Sequence, residues 1–228
     1  MITAVIFDFD GVIADTEAVH YKVFQEVLAD WGIQYSWKDY VEHYMGFDDR
    51  DAFRQAFSRA GKTIDSGMLG QLIRRKAEVF EERAMRNGIM VLPGVVNLVH
   101  TLEKVVPLGI CSGALKSDIQ PILESAGLAS SFPVRVTAED VQSGKPNPEG
   151  YRRAIRLLSE HAGRALAPEC GWAVEDTPDG IQSAQAAGLN VLAVANSYPV
   201  EMLQEADRVV SSLESVHVVQ LNEWLERQ

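Results

Sequence analysis

The sequence is poor in cysteine and in long apolar runs, and each shortage excludes a class of protein. Its two cysteines, Cys111 and Cys170, each lie within a short apolar run. Disulfide frameworks need several cysteines in an oxidising compartment, so we expect two buried thiols in a reducing one. No apolar run approaches the ~18 residues that span a bilayer, so we expect no membrane partner.

Basic residues are scarce as well. The chain has 21 Lys and Arg against 32 Asp and Glu, which gives a net charge of −11. Nucleic-acid binding needs a basic face that neutralises phosphates, so this balance argues against a nucleic-acid partner. No basic segment precedes the first apolar strand, so no signal peptide is expected. Together these features predict a cytoplasmic protein, and we expect it to be a monomer.

What the sequence does contain is a pair of carboxylates at the end of an apolar segment. Residues 5–11 read Val-Ile-Phe-Asp-Phe-Asp-Gly. Because side chains alternate along a strand, Asp8 and Asp10 leave on the same side, where Gly11 turns the backbone. Two anions held this close indicate a cation or a shared proton between them, as in a metal-assisted site. The alternative is a strand followed by an ordinary acidic loop.

The rest of the chain divides into a helical stretch and an alternating stretch. Residues 16–87 contain only helical patterns, which predict helices at 16–30, 36–43, 49–60 and 65–85. After residue 93 apolar strands alternate with helices, which implies a parallel sheet covered on both faces. Strands are predicted at 106–111, 134–137, 171–175, 191–194 and 208–210. Helices are predicted from 95, at 115–125, 148–158 and 178–187, and from 216.

Polar side chains follow several of these strands. Asp8, Ser112 and the pair Glu175 and Asp176 fall at three strand ends, and Lys145 follows a fourth. Ligands of open α/β sheets bind beyond the carboxyl ends of the strands. The sequence therefore predicts that these side chains meet at one site.

Four motifs occur in the order typical of one family. They are Asp-Phe-Asp-Gly-Val at 8–12, a serine at 112 after an apolar run, Gly-Lys-Pro at 144–146, and Glu-Asp-Thr-Pro-Asp-Gly at 175–180. In these motifs the chain resembles the haloacid dehalogenase-like superfamily of phosphotransferases, over residues 4–195. The resemblance implies an α/β fold, with a Rossmann-like three-layer core, a parallel sheet and an inserted all-α cap domain. The expected boundaries are 1–15 for the first part of the core, 16–87 for the cap and 88–228 for the rest of the core.

The two aspartates of the first motif suit the hydrolysis of a phosphate ester. We expect Asp8 to attack phosphorus and form an aspartyl-phosphate. Asp10 can protonate the leaving alkoxide and then deprotonate the attacking water. The resemblance assigns the same roles to these two residues. Family members that cleave carbon–halogen bonds lack the second aspartate, so its presence here favours phosphate.

The expected cofactor is Mg²⁺, which prefers hard oxygen ligands and takes few carboxylates. The predicted ligands are the side chains of Asp8 and Asp176 and the carbonyl of Asp10, with Glu175 nearby. Alternatively, Asp176 only caps the helix that begins at Thr177.

Ser112 and Lys145 are the candidate phosphate-binding side chains. The Ser112 hydroxyl, with the backbone N–H groups of Gly113 and Ala114, can hold phosphoryl oxygens at a helix start. Lys145 can bridge Asp8 and the phosphate as a point charge. The alternatives are a plain helix cap for the serine and a solvated loop residue for the lysine.

Candidate substrate contacts in the cap rest on weaker patterns. Thr16, Glu17 and His20 share one face of the first cap helix, which begins beside the predicted site. Arg50, at the end of the segment 46–50 that joins two predicted helices, could meet a second anionic group. The resemblance adds Lys76, which faces the core in relatives. Each of these is as readily explained as a solvated helix residue.

These observations predict a phosphoric monoester hydrolase that uses Mg²⁺ and acts on a small phosphorylated metabolite, for which we expect a sugar phosphate. The alternative is a sugar-phosphate mutase, because the first motif with Thr16 and His20 looks closest to the β-phosphoglucomutases and to phosphatases with the same cap. Mutases of that group carry a second serine and a Lys-Asn pair just after the motif serine. Residues 112–116 read Ser-Gly-Ala-Leu-Lys here, which weakens the mutase hypothesis and leaves it open.

Overall fold

The computed structural model describes residues 1–226, apart from the side chains of Met85 and Asn87. Within this range six parallel strands form one sheet, in the order β3-β2-β1-β4-β5-β6. Strands β1 to β5 are almost wholly buried, as strands covered on both faces are. The strands are β1 (Val5–Phe7), β2 (Leu108–Cys111), β3 (Val134–Val136), β4 (Trp172–Glu175), β5 (Asn190–Val194) and β6 (Arg208–Val210).

Four helices follow β1 and pack around an apolar core of their own. Val23, Phe24, Phe53 and Phe80 are among the buried side chains of that core. The helix at Trp37 begins with a capping box, in which Ser36 and Asp39 exchange hydrogen bonds. The helices are α1 (Glu17–Leu28), α2 (Trp37–His43), α3 (Asp49–Arg59) and α4 (Ser66–Asn87).

The remaining helices cover both faces of the sheet. One apolar cluster joins the sheet to α5, α6 and α9, and a second joins the opposite face to α7 and α8. These helices are α5 (Val95–Leu102), α6 (Lys116–Ser125), α7 (Glu149–Ala162), α8 (Pro178–Ala186) and α9 (Val218–Glu226). The three-layer α/β fold is therefore confirmed. Residues 227 and 228, the end of the predicted core, lie outside the described residues.

The starts of two helices bear on the site. Thr16 is the N-cap of α1, and its hydroxyl donates to Asp10 instead of capping the helix. Helix α6 begins at Lys116, so Ser112 does not cap it. Within residues 1–226 no helix is both long enough and apolar enough to cross a bilayer.

Candidate active site

The first two aspartates lie where β1 ends. The backbone N–H of Asp8 donates to the carbonyl of Val174 in β4 at 2.9 Å, which holds the residue at the strand end. Gly11 has φ +72°, and a Cβ there would overlap the Asp176 carboxylate. Only glycine combines this left-handed conformation with so close an approach. The loop after β1 therefore lies in direct contact with the carboxylate of Asp176, the residue that follows β4.

Lys145 joins two of these carboxylates. Its Nζ lies 2.6 Å from Asp8 Oδ1 and 2.5 Å from Glu175 Oε1. Burial raises the pKa of Asp8 to about 8, although the Lys145 charge works in the opposite direction. Burial by itself lowers the pKa of Lys145, but the two carboxylates outweigh it, so the lysine stays charged. The lysine thus stands as a fixed positive charge beside Asp8.

Glu175 is fully buried, and its two oxygens accept several hydrogen bonds. Oε1 accepts from Lys145 and, at 2.5 Å, from the Tyr151 hydroxyl. Oε2 accepts from the next backbone N–H at 3.2 Å and from the Thr177 hydroxyl at 3.3 Å. These hydrogen bonds fix the Glu175 carboxylate, which in turn holds the Lys145 ammonium in place beside Asp8.

Replacing Gly180 with alanine is expected to disturb this arrangement, because a Cβ there would overlap the Glu175 carboxylate. Overpacking at so rigid a position should cost about 3 kcal/mol of the free energy of unfolding. Gly70→Ala is the matched control, since the nearest atom to its Cβ would be Arg74 Nη1 at 3.6 Å. Urea denaturation of both variants checks this. Similar midpoints for the two would contradict the close packing of Glu175 against α8.

The carboxylates of Asp8, Glu175 and Asp176 form a buried cluster that could hold a metal ion. Each offers one oxygen, and these oxygens lie within 4.8 Å of one another. Ser197 donates to Asp176 Oδ2, but no described residue donates a hydrogen bond to the buried Oδ1. Burial and the neighbouring Asp8 raise the pKa of Asp176 well above its usual value. A cation would bind the unpaired Oδ1 of Asp176 and neutralise the negative charges of the cluster. The residues therefore fit a metal that takes oxygen ligands.

Asp10 contacts the start of α1. Its Oδ1 accepts from the Thr16 hydroxyl at 2.5 Å and lies 3.2 Å from His20 Nε2, while Oδ2 lies 3.4 Å from the Ser112 hydroxyl. Burial alone would raise the pKa of Asp10, but His20 and Thr16 outweigh it and lower the value to about 2. Asp10 is thereby held between the helical region, residues 16–87, and Ser112 at the end of β2.

One cavity joins these groups to the backbone after β2. Asp8, Asp10 and Lys145 line it together with Gly113 and Ala114. The Ser112 hydroxyl accepts a hydrogen bond from the Ala114 N–H at 3.0 Å. The structure therefore brings the predicted catalytic, metal-binding and phosphate-binding residues to one place.

The family model described as haloacid dehalogenase-like hydrolase matches residues 5–194. The chain belongs to the haloacid dehalogenase-like hydrolases. The resemblance drawn from the four motifs is confirmed.

Relatives of this hydrolase act on phosphate esters. The chain is 26% identical to validoxylamine A 7′-phosphate phosphatase of Streptomyces hygroscopicus subsp. limoneus, over 95% of this chain and 96% of that one. It is 28% identical to 2-deoxyglucose-6-phosphate phosphatase 1 of Saccharomyces cerevisiae, over 96% and 91%. The family and these relatives confirm the expected enzyme class, phosphoric monoester hydrolase.

A solved structure shows the same fold. The β-phosphoglucomutase of Clostridium difficile superposes with a TM-score of 0.87 at 23% identity, over 100% of this chain and 98% of that one. At this identity the likeness shows that the two proteins share a fold.

The predicted substrate contacts of this hydrolase do not all line the cavity. Glu17 and His20 line the cavity; the Tyr40 hydroxyl donates to Glu17 at 2.7 Å, and the His20 ring stacks on Phe80 at 4.5 Å. Burial raises the pKa of Glu17. Lys76 is fully buried and contacts the core helix α6.

Arg50 is placed away from the cavity. Its guanidinium donates to Asp48 Oδ2 at 2.6 Å and to the Val141 carbonyl at 3.2 Å, and it is not among the cavity-lining residues. The expectation that Arg50 meets a second anionic group therefore has no support in this arrangement. The residue instead ties the loop before α3 to the loop after β3.

Sequence reasoning missed several residues of the site. Asn196 donates to the Gly11 carbonyl at 2.8 Å, and Ser197 binds Asp176. Both follow β5, so the rule that strand ends converge would have found them. Tyr151, which binds Glu175, and Asp49, which lines the cavity, lie on helices and gave no comparable signal.

Proposed function

We propose that this hydrolase is a Mg²⁺-dependent phosphatase that cleaves small phosphorylated metabolites, in the class of sugar phosphates, through an aspartyl-phosphate. The observation that carries the proposal is the pairing of Asp8 with Lys145 in the cavity that Asp10 also lines. A nucleophile beside a fixed cation, with a second carboxylate two residues on, suits phosphoryl transfer. The named substrates of the two relatives support the substrate class.

The reaction follows from the positions of three side chains. Asp10 is ionised in the free site, so it takes up one proton as the substrate binds, and Asp8 enters the step as the carboxylate. A carboxylate oxygen of Asp8 then bonds to phosphorus while the phosphorus–oxygen bond to the substrate breaks, and that proton goes from Asp10 to the leaving alkoxide. Water then attacks phosphorus and gives its proton to Asp10. Inorganic phosphate leaves and the Asp8 carboxylate is restored. Lys145 balances negative charge on the phosphoryl oxygens in both steps.

The proposed Mg²⁺ ligands are the side chains of Asp8 and Asp176 and the carbonyl of Asp10, with Glu175 holding Lys145 beside them. Bound Mg²⁺ supplies charge neutralisation at the phosphoryl oxygens. The bare, buried Oδ1 of Asp176 supports this assignment. Ser112 and Gly113 are proposed to contact the phosphate from the side of β2.

We propose that residues 16–87 act as a cap that closes over this site. Two contacts support it: Arg50 donates to the Val141 carbonyl, and Lys76 lies 3.5 Å from Asp118 of α6. Closure would exclude water from the phosphoryl group. We further propose that the enzyme is a cytoplasmic monomer whose partners are small phosphorylated metabolites.

Metal removal tests the proposal. Phosphate release from p-nitrophenyl phosphate should stop in EDTA and return with Mg²⁺, and Ca²⁺ should inhibit because it takes more oxygen ligands. Asp176→Asn should raise the Mg²⁺ concentration for half-maximal activity at least tenfold, since it removes a charged ligand. Asp30→Asn, at an exposed position, is the control. Activity unaffected by EDTA would contradict the proposal.

Mutase activity is the alternative and gives a different result in the same assay. A mutase needs a bisphosphate activator and conserves total ester phosphate, whereas a phosphatase releases inorganic phosphate without an activator. We favour hydrolysis because residues 113–116 lack the second serine and the Lys-Asn pair expected of mutases.

A further inference from the structure

The helical region contributes a buried lysine near the cavity, and carboxylates already neutralise its charge. Lys76 Nζ lies 2.9 Å from Asp49 Oδ1 and 3.5 Å from Asp118 Oδ2, and the side chain is fully buried. Burial by itself lowers the pKa of Lys76, but these carboxylates outweigh it and raise the value, so the lysine stays charged. Arg50 binds Asp48, and neither Arg50 nor Lys76 is among the residues that line the cavity.

Carboxylates, by contrast, line the cavity on the side of the helical region. Glu17 and Asp49 face the same cavity as Asp8 and Asp10. Asp49 is only 8% exposed, and while Oδ1 pairs with Lys76, no described residue donates a hydrogen bond to Oδ2. Buried acceptors are normally paired with a donor. Because the Asp49 side chain lines the cavity, its carboxylate is an acceptor for a donor of the ligand.

The two basic side chains that line the cavity both contact carboxylates. Lys145 contacts Asp8 and Glu175, and His20 contacts Asp10. Among the described residues of the lining no other Lys, Arg or His occurs. A second phosphate or a carboxylate on the leaving group would therefore meet like charges with no free partner.

We propose that Asp49, with Glu17, selects leaving groups that donate hydrogen bonds and carry no second anionic group. The inference rests on the phosphatase function proposed above and narrows its substrates to monophosphates of uncharged polyols or amino sugars. A hydroxyl or an ammonium of the leaving group donates to the Asp49 carboxylate. Phenylalanine and tyrosine rings of the same cavity, Phe24, Phe47 and Tyr40, pack against its carbon skeleton.

Four esters that share one carbon skeleton test the proposal. They are glucose 6-phosphate, glucosamine 6-phosphate, 6-phosphogluconate and glucose 1,6-bisphosphate, compared by kcat/KM for phosphate release with Mg²⁺. We expect the neutral and amino esters to exceed both anionic ones by at least tenfold. The ratio between the first two distinguishes a hydroxyl donor from an ammonium donor. Equal or reversed values, or no turnover of any of the four, would overturn the proposal.

Asp49→Asn removes the charge and keeps the shape. In this variant the ratio of kcat/KM for glucose 6-phosphate to that for 6-phosphogluconate should fall at least threefold. The variant should still hydrolyse p-nitrophenyl phosphate. Asp51→Asn is the matched control, because Asp51 is on the same helix, half exposed, and pairs with Arg54 at 3.4 Å. It should leave the preference unchanged.

Glu17→Gln provides a second variant if Asp49→Asn does not fold, and it should shift the preference in the same direction. An unchanged preference in the folded variants would overturn the proposal. Failure of the wild-type enzyme to hydrolyse p-nitrophenyl phosphate would instead overturn the phosphatase function itself, so the two failures are distinguishable.

Discussion

Asp8→Asn is expected to abolish turnover, lowering kcat by at least about a thousandfold. The substitution removes the attacking oxygen charge, and covalent catalysis supplies several orders of magnitude of rate. The fold should survive because an amide of the same size fills the place of the carboxylate. Steady-state kinetics on p-nitrophenyl phosphate, with circular dichroism to check folding, measures both.

The matched control for this variant is Asp15→Asn, the same chemical change at an exposed position seven residues on. It should retain wild-type activity. Radiolabelled phosphate from a quenched reaction should appear on wild-type protein and not on the Asp8 variant. Retention of more than about a hundredth of the wild-type rate would show that Asp8 is not the nucleophile.

Lys145→Met is expected to lower both activity and stability. The Lys145 ammonium is the partner of two carboxylates, Asp8 and Glu175, of which the second is fully buried. Removing one member of a buried ion pair leaves uncompensated charge and typically costs about 3–5 kcal/mol. We therefore expect thermal unfolding in EDTA at a clearly lower temperature than that of the wild type.

Mg²⁺ should restore part of the lost stability, since a ligand that binds only the folded state stabilises it and would neutralise the same cluster. Lys116→Met, which removes an exposed lysine, is the control and should change neither property. A Lys145 variant that melts with the wild type in EDTA would mean that the lysine does not balance these charges.

The sequence was sufficient for the core residues because their positions follow from a local rule. Asp8, Ser112 and Asp176 each come directly after a buried strand, and parallel strands end at one edge of the sheet. The apolar runs that mark those strands are unambiguous, so even one-residue errors in strand ends left the polar residues on the correct edge. The same rule, applied to β5, would have included Ser197.

The helical region was less predictable because successive residues of a helix point about 100° apart. Glu17 and His20 were predicted to face the site and do line the cavity. Arg50 was expected there, but the neighbouring Asp49 occupies the cavity wall and Arg50 turns to Asp48 and Val141. An error of one residue in the predicted helix face therefore replaces a basic side chain at the cavity, Arg50, with an acidic one, Asp49.

By itself the sequence determined the α/β core, the helical insertion and the convergence of Asp8, Asp10, Lys145 and Asp176, because hydrophobic periodicity and strand-end position are local properties. Only the tertiary structure decided which charges are paired. The burial of Lys76 between Asp49 and Asp118, and the engagement of Glu175 by Tyr151, join residues far apart in the chain. Such pairings depend on how whole elements pack, and no local pattern encodes them.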